Sequence, residues 1–496
     1  MVLVLCAWYA AAPADTLRFG VSNLPPTMGN PYGANGTPSS YTWAAMFDAL
    51  TRLDAQGDLQ PALATDWSLV DTDRWRFELR AGVHFDNGEP FDAEAVVAVF
   101  DWLRSSAGAR TVIGNEVRHV ARVEVVDTHT VDVITEAPDA ILPQRLSAVF
   151  MVPPRAWAEL GPDGFARAPS GTGPFRLERW SESDRRVHLV ARDDGWRRPQ
   201  LSGLEVIALP DQAVRVQALR SREIDLTMVD IEDVDFLRAR GFHVRHSPSM
   251  QVMALAFNVE RDPPSPVADP RVRRALNLAV NREAIAGILM QGLVEPSSQP
   301  ASRVTVGHDP ELAPFPHDPD AARALLAEAG HGEGLTLSIE VAGGGAPGAS
   351  QIYQVVVQDL ARVGVRARLR VRPFSAWLRD YLAGRLRADL FGLAWNAAPY
   401  NDVMRPMEYY SCAKRQPFYC DPELMPLLEA AQREMDPDRR AALLRELARE
   451  IRERVPALFL VEQIDLFAYR DGVAGFGVAN RVPVYEQLQM VDRAAH

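Results

Sequence analysis

Hydrophobic positions along this chain recur at two spacings, and in the second half the two alternate. "TLSIEVA" and "VRARLRV" place apolar residues at every second position, the spacing of strands. "SQIYQVVVQDLARVG" and "SAWLRDYLAGRL" carry the three-to-four spacing of helices, and "ADLFGLAW" closes the series as a strand. Strand, helix, strand, helix, strand in that order predicts parallel strands joined by right-handed crossovers. Ligands of such sheets sit beyond the carboxyl ends of the strands, so "GGGAPGA" after Ala342 and "NAAPYNDVMRP" after Trp395 are the loops of interest. Upstream, "MQVMALAFNVE" is a strand. Asp269 caps a helix with Pro270 at its first position, Asn281 caps "REAIAGILMQG", and Asp318-Pro319 opens a helix that stops at Gly330.

The first half is α/β as well. "TLRFGVS" is a strand, and "YTWAAMFDALTRL" has helical spacing. In "RWRFELR" Trp75, Phe77 and Leu79 alternate, and a turn at Ala81-Gly82 predicts a hairpin with "VHF". Asp92 is the expected N-cap of the following helix, with Glu94 in its first turn. "APSGTGPF" (168–175) resembles a phosphate cradle, but Pro174 and the alternating "FRLERW" lead it into a strand. A phosphate loop needs a helix N-terminus and a lysine after its glycines, and this loop has neither. A turn facing a ligand and a purely structural turn remain its two readings.

Composition narrows the function. The formal charge of -12 disfavours nucleic acid and anionic membranes as partners. Lys414 is the only lysine, so Walker-type and Schiff-base chemistry have no amine to use. The histidines are scattered, with His243 and His246 on opposite faces of a strand. No GxSxG, HExxH or comparable catalytic set occurs, so no catalytic residue, metal ligand or cofactor site is assigned. The apolar run from Val2 to Ala12, too short to span a bilayer, precedes Ala12-Pro13-Ala14. It reads as the end of a secretory signal over residues 1–14, cleaved before Asp15, with lipidation at Cys6 and a buried first strand as alternatives. Cys412 and Cys420 would then be the only cysteines left. Their spacing in an exported chain points to a disulfide, and free thiols are the alternative.

Several stretches resemble one family. "FDALTRLDAQGDLQPALATDWSLVDTDRWRFELRAGVHFDNGEPFDAEAVV", "PSGTGPFRL", "VQALRSREIDL", "LAFNVERDPPSPVADPRVRRALNLAVNREAI" and "DPDAARALLAEAG" are similar, in register, to extracytoplasmic solute-binding proteins of the dipeptide/oligopeptide/nickel class that serve ABC importers. The resemblance implies a two-lobed α/β periplasmic-binding-protein fold with a hinge and an extra subdomain in the first lobe. Lobe I would take residues 15–50, 170–258 and 468–496, the subdomain 51–169 and lobe II 259–467, with hinge crossings at "FNVE" and "FAYRDGV". It further implies a periplasmic monomer, not an enzyme, that passes a solute to membrane permease subunits. A solute or peptide receptor or chaperone outside transport is the alternative. The paired cysteines match a disulfide of some dipeptide-type members.

The chain departs from the family at two ligand loops. Dipeptide-type members carry an aspartate after the tryptophan strand for the ligand's amino group, where "WNAAPYND" leaves only Asp402. They also carry an arginine after the strand equivalent to "SIEVA", where "GGGAPGA" has none. A simple dipeptide is therefore disfavoured against an oligopeptide, a modified amino acid or a glycoside-like conjugate. The expected ligand residues are Trp395 as a stacking face, Asn396, Tyr400, Asn401 and Asp402 on one side, and Asn30, Tyr32 and Thr172 across the cleft; a core Trp395 with a merely solvated loop is the alternative.

Overall fold

The computed structural model describes residues 15–398, 400–414 and 416–491. The expected signal segment, with Cys6 and the Ala12–Ala14 site, lies outside them. One mixed sheet runs through the molecule. Its strands are ordered Val365–Arg372, Leu335–Ala342, Leu390–Gly392, His243–Phe257, Ala457–Tyr469, Leu226–Met228, Thr16–Val21, Gly203–Ala208, Arg186–Ala191 and Phe175–Ser181. The parallel pairing expected from the second-half alternation is present, Leu335–Ala342 lying between Val365–Arg372 and Leu390–Gly392. Thr16–Val21 likewise runs parallel to Gly203–Ala208 and Leu226–Met228.

Two long antiparallel strands, His243–Phe257 and Ala457–Tyr469, join the halves. The exposed or half-buried first part of His243–Phe257 pairs with the lobe I end of its partner, and its last nine residues are buried in lobe II. A near-continuous apolar run such as "MALAF" suits a strand covered on both faces. Lobe II packs its core around Leu255, Leu337, Val356 and Leu458. The lobe I core around Phe19 and Leu204 is continuous with Phe77, Val99 and Phe100 of the subdomain. In the subdomain the helix Ala93–Arg104 buries Val96, Val99, Phe100 and Leu103 against a four-stranded antiparallel sheet, and Asp92 caps it through Ala95 N at 3.2 Å.

Two local readings need correction. Arg74–Leu79 pairs with Ala64–Asp71 and Thr130–Thr135, not with "VHF", because those two strands occupy both its edges. The helix expected over residues 41–53 covers Ser39–Met46; Phe47 is extended, and Thr51–Leu53 forms a short hairpin with Leu59–Pro61. The remaining caps are as expected: Asp269 accepts from Arg271 N at 2.8 Å, Asn281 from Ala284 N at 2.9 Å and Asp318 from Ala321 N at 2.9 Å.

Candidate functional site

A cavity of about 470 Å³ opens between the lobes. Lobe I supplies the chain from Pro31 to Asp48, Arg197 and residues 477–487, the subdomain supplies residues around Arg52 and Phe150, and lobe II supplies Asn396, Ala398 and Arg405. That size falls within the ~300–1,000 Å³ of small-molecule sites.

Its charged groups are paired among themselves or with residues behind the wall. Arg197 bridges Asp48 at 2.5 Å and Glu486 at 3.1 Å, and Glu486 also meets Arg52 at 3.3 Å. Burial pushes the Glu486 carboxyl up, but Arg197, a backbone hydrogen bond and Arg52 together outweigh burial and hold it below its ordinary value. Arg481 makes a two-pronged pair with Asp465 at 2.7 and 2.8 Å. Arg405 meets Glu116 at 3.0 Å and donates to Asn396 O at 2.9 Å. Asp54 is taken up locally by the amides of Gln56 and Asp58 and the side chain of Gln60. Two buried amide groups in the walls stay unpartnered, Nδ2 of Asn35 in lobe I and Oδ1 of Asn396 in lobe II. Nε of Arg197 and of Arg405 are unpartnered as well.

Of the eight residues expected from the sequence, Asn396 lines this cavity. Trp395 is fully buried with both faces taken, Tyr410 stacking at 3.7 Å and Phe459 at 5.6 Å, so it serves the lobe II core. Asp402 is spent on Arg440 at 2.7 and 3.0 Å and on Met404 N at 2.9 Å. Asn401 reaches across to Gly57 O at 3.0 Å and to Val304 O at 2.7 Å. The buried Tyr400 hydroxyl donates to Glu116. Tyr32 donates to Phe150 O at 2.9 Å and stacks on Trp102, and Asn30 closes a local turn on Tyr32 N at 3.0 Å.

Thr172 stands one contact behind the wall, donating to Asp48 at 2.9 Å. Its loop is a packing device. A Cβ on Gly171 would lie 2.0 Å from Met46 O, and one on Gly173 would lie 2.5 Å from Met46 C. Both glycines let the loop close against the end of helix Ser39–Met46, where Gly173 N donates to Met46 O.

Sequence reasoning missed Asn35, Asp48, Arg197, Arg405 and the strip 477–487. Arg405 lay inside a loop already of interest, but the others carry no periodicity or motif. Cys412 and Cys420 form the expected disulfide. Among the described residues no cluster of metal ligands occurs, and no helix is long and apolar enough to cross a membrane.

Comparison with known proteins agrees with this architecture. Residues 58–417 match the model of the bacterial extracellular solute-binding proteins, family 5. The glutathione-binding protein GsiB of Salmonella typhimurium is 26% identical over 492 residues, covering 96% of this chain and 94% of that protein. Di/tripeptide-binding protein 2 of Pseudomonas aeruginosa is also 26% identical, over 88% and 89% of the two chains. Among solved structures, a dipeptide-binding protein from Pseudoalteromonas sp. SM9913 in complex with Met-Leu superposes with a TM-score of 0.82 at 20% identity, covering 96% of this chain and 100% of that one. MoaA of A. tumefaciens in complex with mannopinic acid gives 0.80 at 24%, with the same coverage. These relatives are transport-binding proteins, not enzymes, and the family works outside the cytoplasm. A family match over most of the chain, on a two-lobed fold with a cavity at the lobe boundary, settles the relationship: this chain belongs to the bacterial extracellular solute-binding proteins of family 5, the substrate-binding components of ABC importers.

Proposed function

We propose that this protein captures a small peptide-like solute in the periplasm and, as a monomer without cofactor, hands it to an inner-membrane permease. The observation that carries this reading is a pair of buried, unpartnered amide groups on two residues that line one cavity from opposite lobes, Asn35 and Asn396. A buried polar group left unpaired costs roughly 1–3 kcal/mol. A secondary amide in the ligand, with one N–H and one C=O, answers both side chains at once. The charged groups of the wall already have protein partners, and Asp402 is committed to Arg440, so a free amino terminus finds no unpaired carboxylate here among the described residues. That disfavours a ligand held chiefly through its free amino terminus, as a simple dipeptide would be, and favours a larger or conjugated peptide held through its internal amides; relatives are named for glutathione and for di- and tripeptides.

The lobe division given above, with its extra subdomain over residues 51–169, belongs to the same reading, except that residues 249–257 go with lobe II, whose core 252–257 share with Leu337 and Leu458. Asn30, Tyr32, Thr172, Trp395, Tyr400, Asn401 and Asp402 then act by holding the walls, and Asn396 contacts the solute. Native mass spectrometry of protein purified without refolding identifies what is retained, and calorimetry with glutathione and Met-Leu ranks the classes. Asn396→Ala and Asn35→Ala should each weaken the preferred probe by more than tenfold, about 1.4 kcal/mol. Tight retention of a plain dipeptide, unaffected by either substitution, would defeat the proposal.

A further inference from the structure

The cavity accounts for only part of the contact between the halves. A second contact joins the extra subdomain to the lobe II segment that follows Trp395, and its groups answer one another without a solute. Glu116, at the end of the short helix Val112–Glu116, receives Arg405 at 3.0 Å and the Tyr400 hydroxyl. Glu408 receives Arg118 at 3.3 Å and Arg145 at 3.7 Å. Arg145 is almost fully buried, holds Asp139 at 2.9 Å and lies over the Tyr400 ring at 5.3 Å. Three arginines (118, 145 and 405) thus face three carboxylates (Asp139, Glu116 and Glu408), and the cluster is neutral as a unit. Beside it Asn401 donates to Gly57 O, and Leu53, Met250 and Ala397 make a small apolar contact across the same boundary.

The cluster also shapes the cavity. Arg405 holds Asn396 through its carbonyl, so the partners of Arg405 fix two of the lobe II groups in the wall.

We propose that the extra subdomain is a latch for lobe II, in which Glu116 is a positioning residue that holds Arg405, and through it Asn396, over the cavity, while Glu408 ties lobe II to Arg118 and Arg145, and both favour the closed arrangement. This rests on the reading of that cavity as the solute site. A protein competent to hold its ligand in only a fraction of molecules shows an affinity lowered by that fraction. Loosening the latch therefore weakens binding without touching the solute.

The test is small-angle scattering of the full chain with no solute added, for the wild type, Glu408→Gln and the Glu116→Gln/Glu408→Gln double variant. Each is paired with a thermal melt and a titration with glutathione. Glu408→Gln is the safeguard for folding, since its pair with Arg118 lies partly in solvent. The radius of gyration should grow from wild type to single to double variant, with glutathione bound about tenfold more weakly by the double variant. Raising the ionic strength should expand the wild type part of the way towards the double variant and leave the double variant unchanged, because salt screens the partly exposed Arg118–Glu408 pair far more than the largely buried Arg405–Glu116 pair. A radius identical in all three proteins and indifferent to salt would overturn the latch. Failure of glutathione to bind any of them would count against the peptide-like reading, and the scattering would still decide the latch.

Discussion

Trp395 and Asp225 carry structural weight that their positions in the sequence do not advertise. Trp395 opens the two-residue strand Trp395–Asn396, and Tyr410 and Phe459 stack on it. Trp395→Ala should therefore cost about 3–5 kcal/mol of stability, read by denaturant unfolding. A near-normal melt with a large loss of affinity would return the residue to the site. Asp225 is buried beside the central strands and takes the backbone and guanidinium of Arg18, at 2.8 and 3.0 Å, together with Arg470. Burial pushes its carboxyl up, but the hydrogen bonds from Arg18 and Arg470 outweigh that and hold it below its ordinary value. A carboxylate lowered in this way contributes stability above its unfolded value of about 4, and the contribution is lost as pH falls through the lowered folded value. Asp225→Ala should cost about 3 kcal/mol, the low end for a broken buried pair because both arginines are partly exposed. It should also flatten the acid limb of the stability curve, and an unchanged acid limb would remove Asp225 as its source.

At the level of elements, the chain's own periodicity carried most of the fold. Strands and helices of lobe II follow from spacing and caps because each element is buried on a regular face, and Asp92, Asp269, Asn281 and Asp318 cap helices as read. The hairpin at Gly82 was misread because its true partners, Ala64–Asp71 and Thr130–Thr135, are set by long-range pairing that local alternation does not encode. The site was far less legible. Its walls come from separate loops and from the strip 477–487, and partners such as Arg440 for Asp402 lie distant in sequence.

The "GTG" turn shows how a local motif gains its meaning from packing. Gly171→Ala would force a Cβ against Met46 O, and overpacking of this kind costs about 1–3 kcal/mol. The variant should lower the melting temperature and, through the Thr172–Asp48 contact, weaken solute binding too. An unaltered melt would contradict the close approach. Opening the Cys412–Cys420 loop by reduction should cost about 2–3 kcal/mol on the chain-entropy account. Two thiols open to alkylation in the unreduced native protein would remove that bond.

Across the whole molecule, the two long strands that carry both lobes are also where the lobes can turn. Their ladder runs in register from His243 opposite Tyr469 to Pro248 opposite Ile464, breaks, and resumes with Val252 opposite Glu462. Residues 249–251 thus oppose only Gln463 on that strand, Gln251 pairing with Asn396 on the other side, and Met250 adopts a left-handed backbone at φ 57°. Extra residues on one strand bend it and increase its twist. We propose that the pivot lies there, upstream of "FNVE", because 254–257 stay in ladder with lobe II neighbours on both sides. If the lobes turn there, ligand-driven closure selects a population already present and leaves each lobe rigid. Spin labels at Ser183 and Glu328, exposed on lobe I and lobe II, should move together on saturation with glutathione, while a pair at Glu328 and Arg366 within lobe II keeps its distance. Amide hydrogen exchange locates the bend independently. The amides of 249–251 should exchange faster than those of 254–257 and slow when the cleft closes. Slowing confined to 257–260 would move the pivot back to the crossing itself.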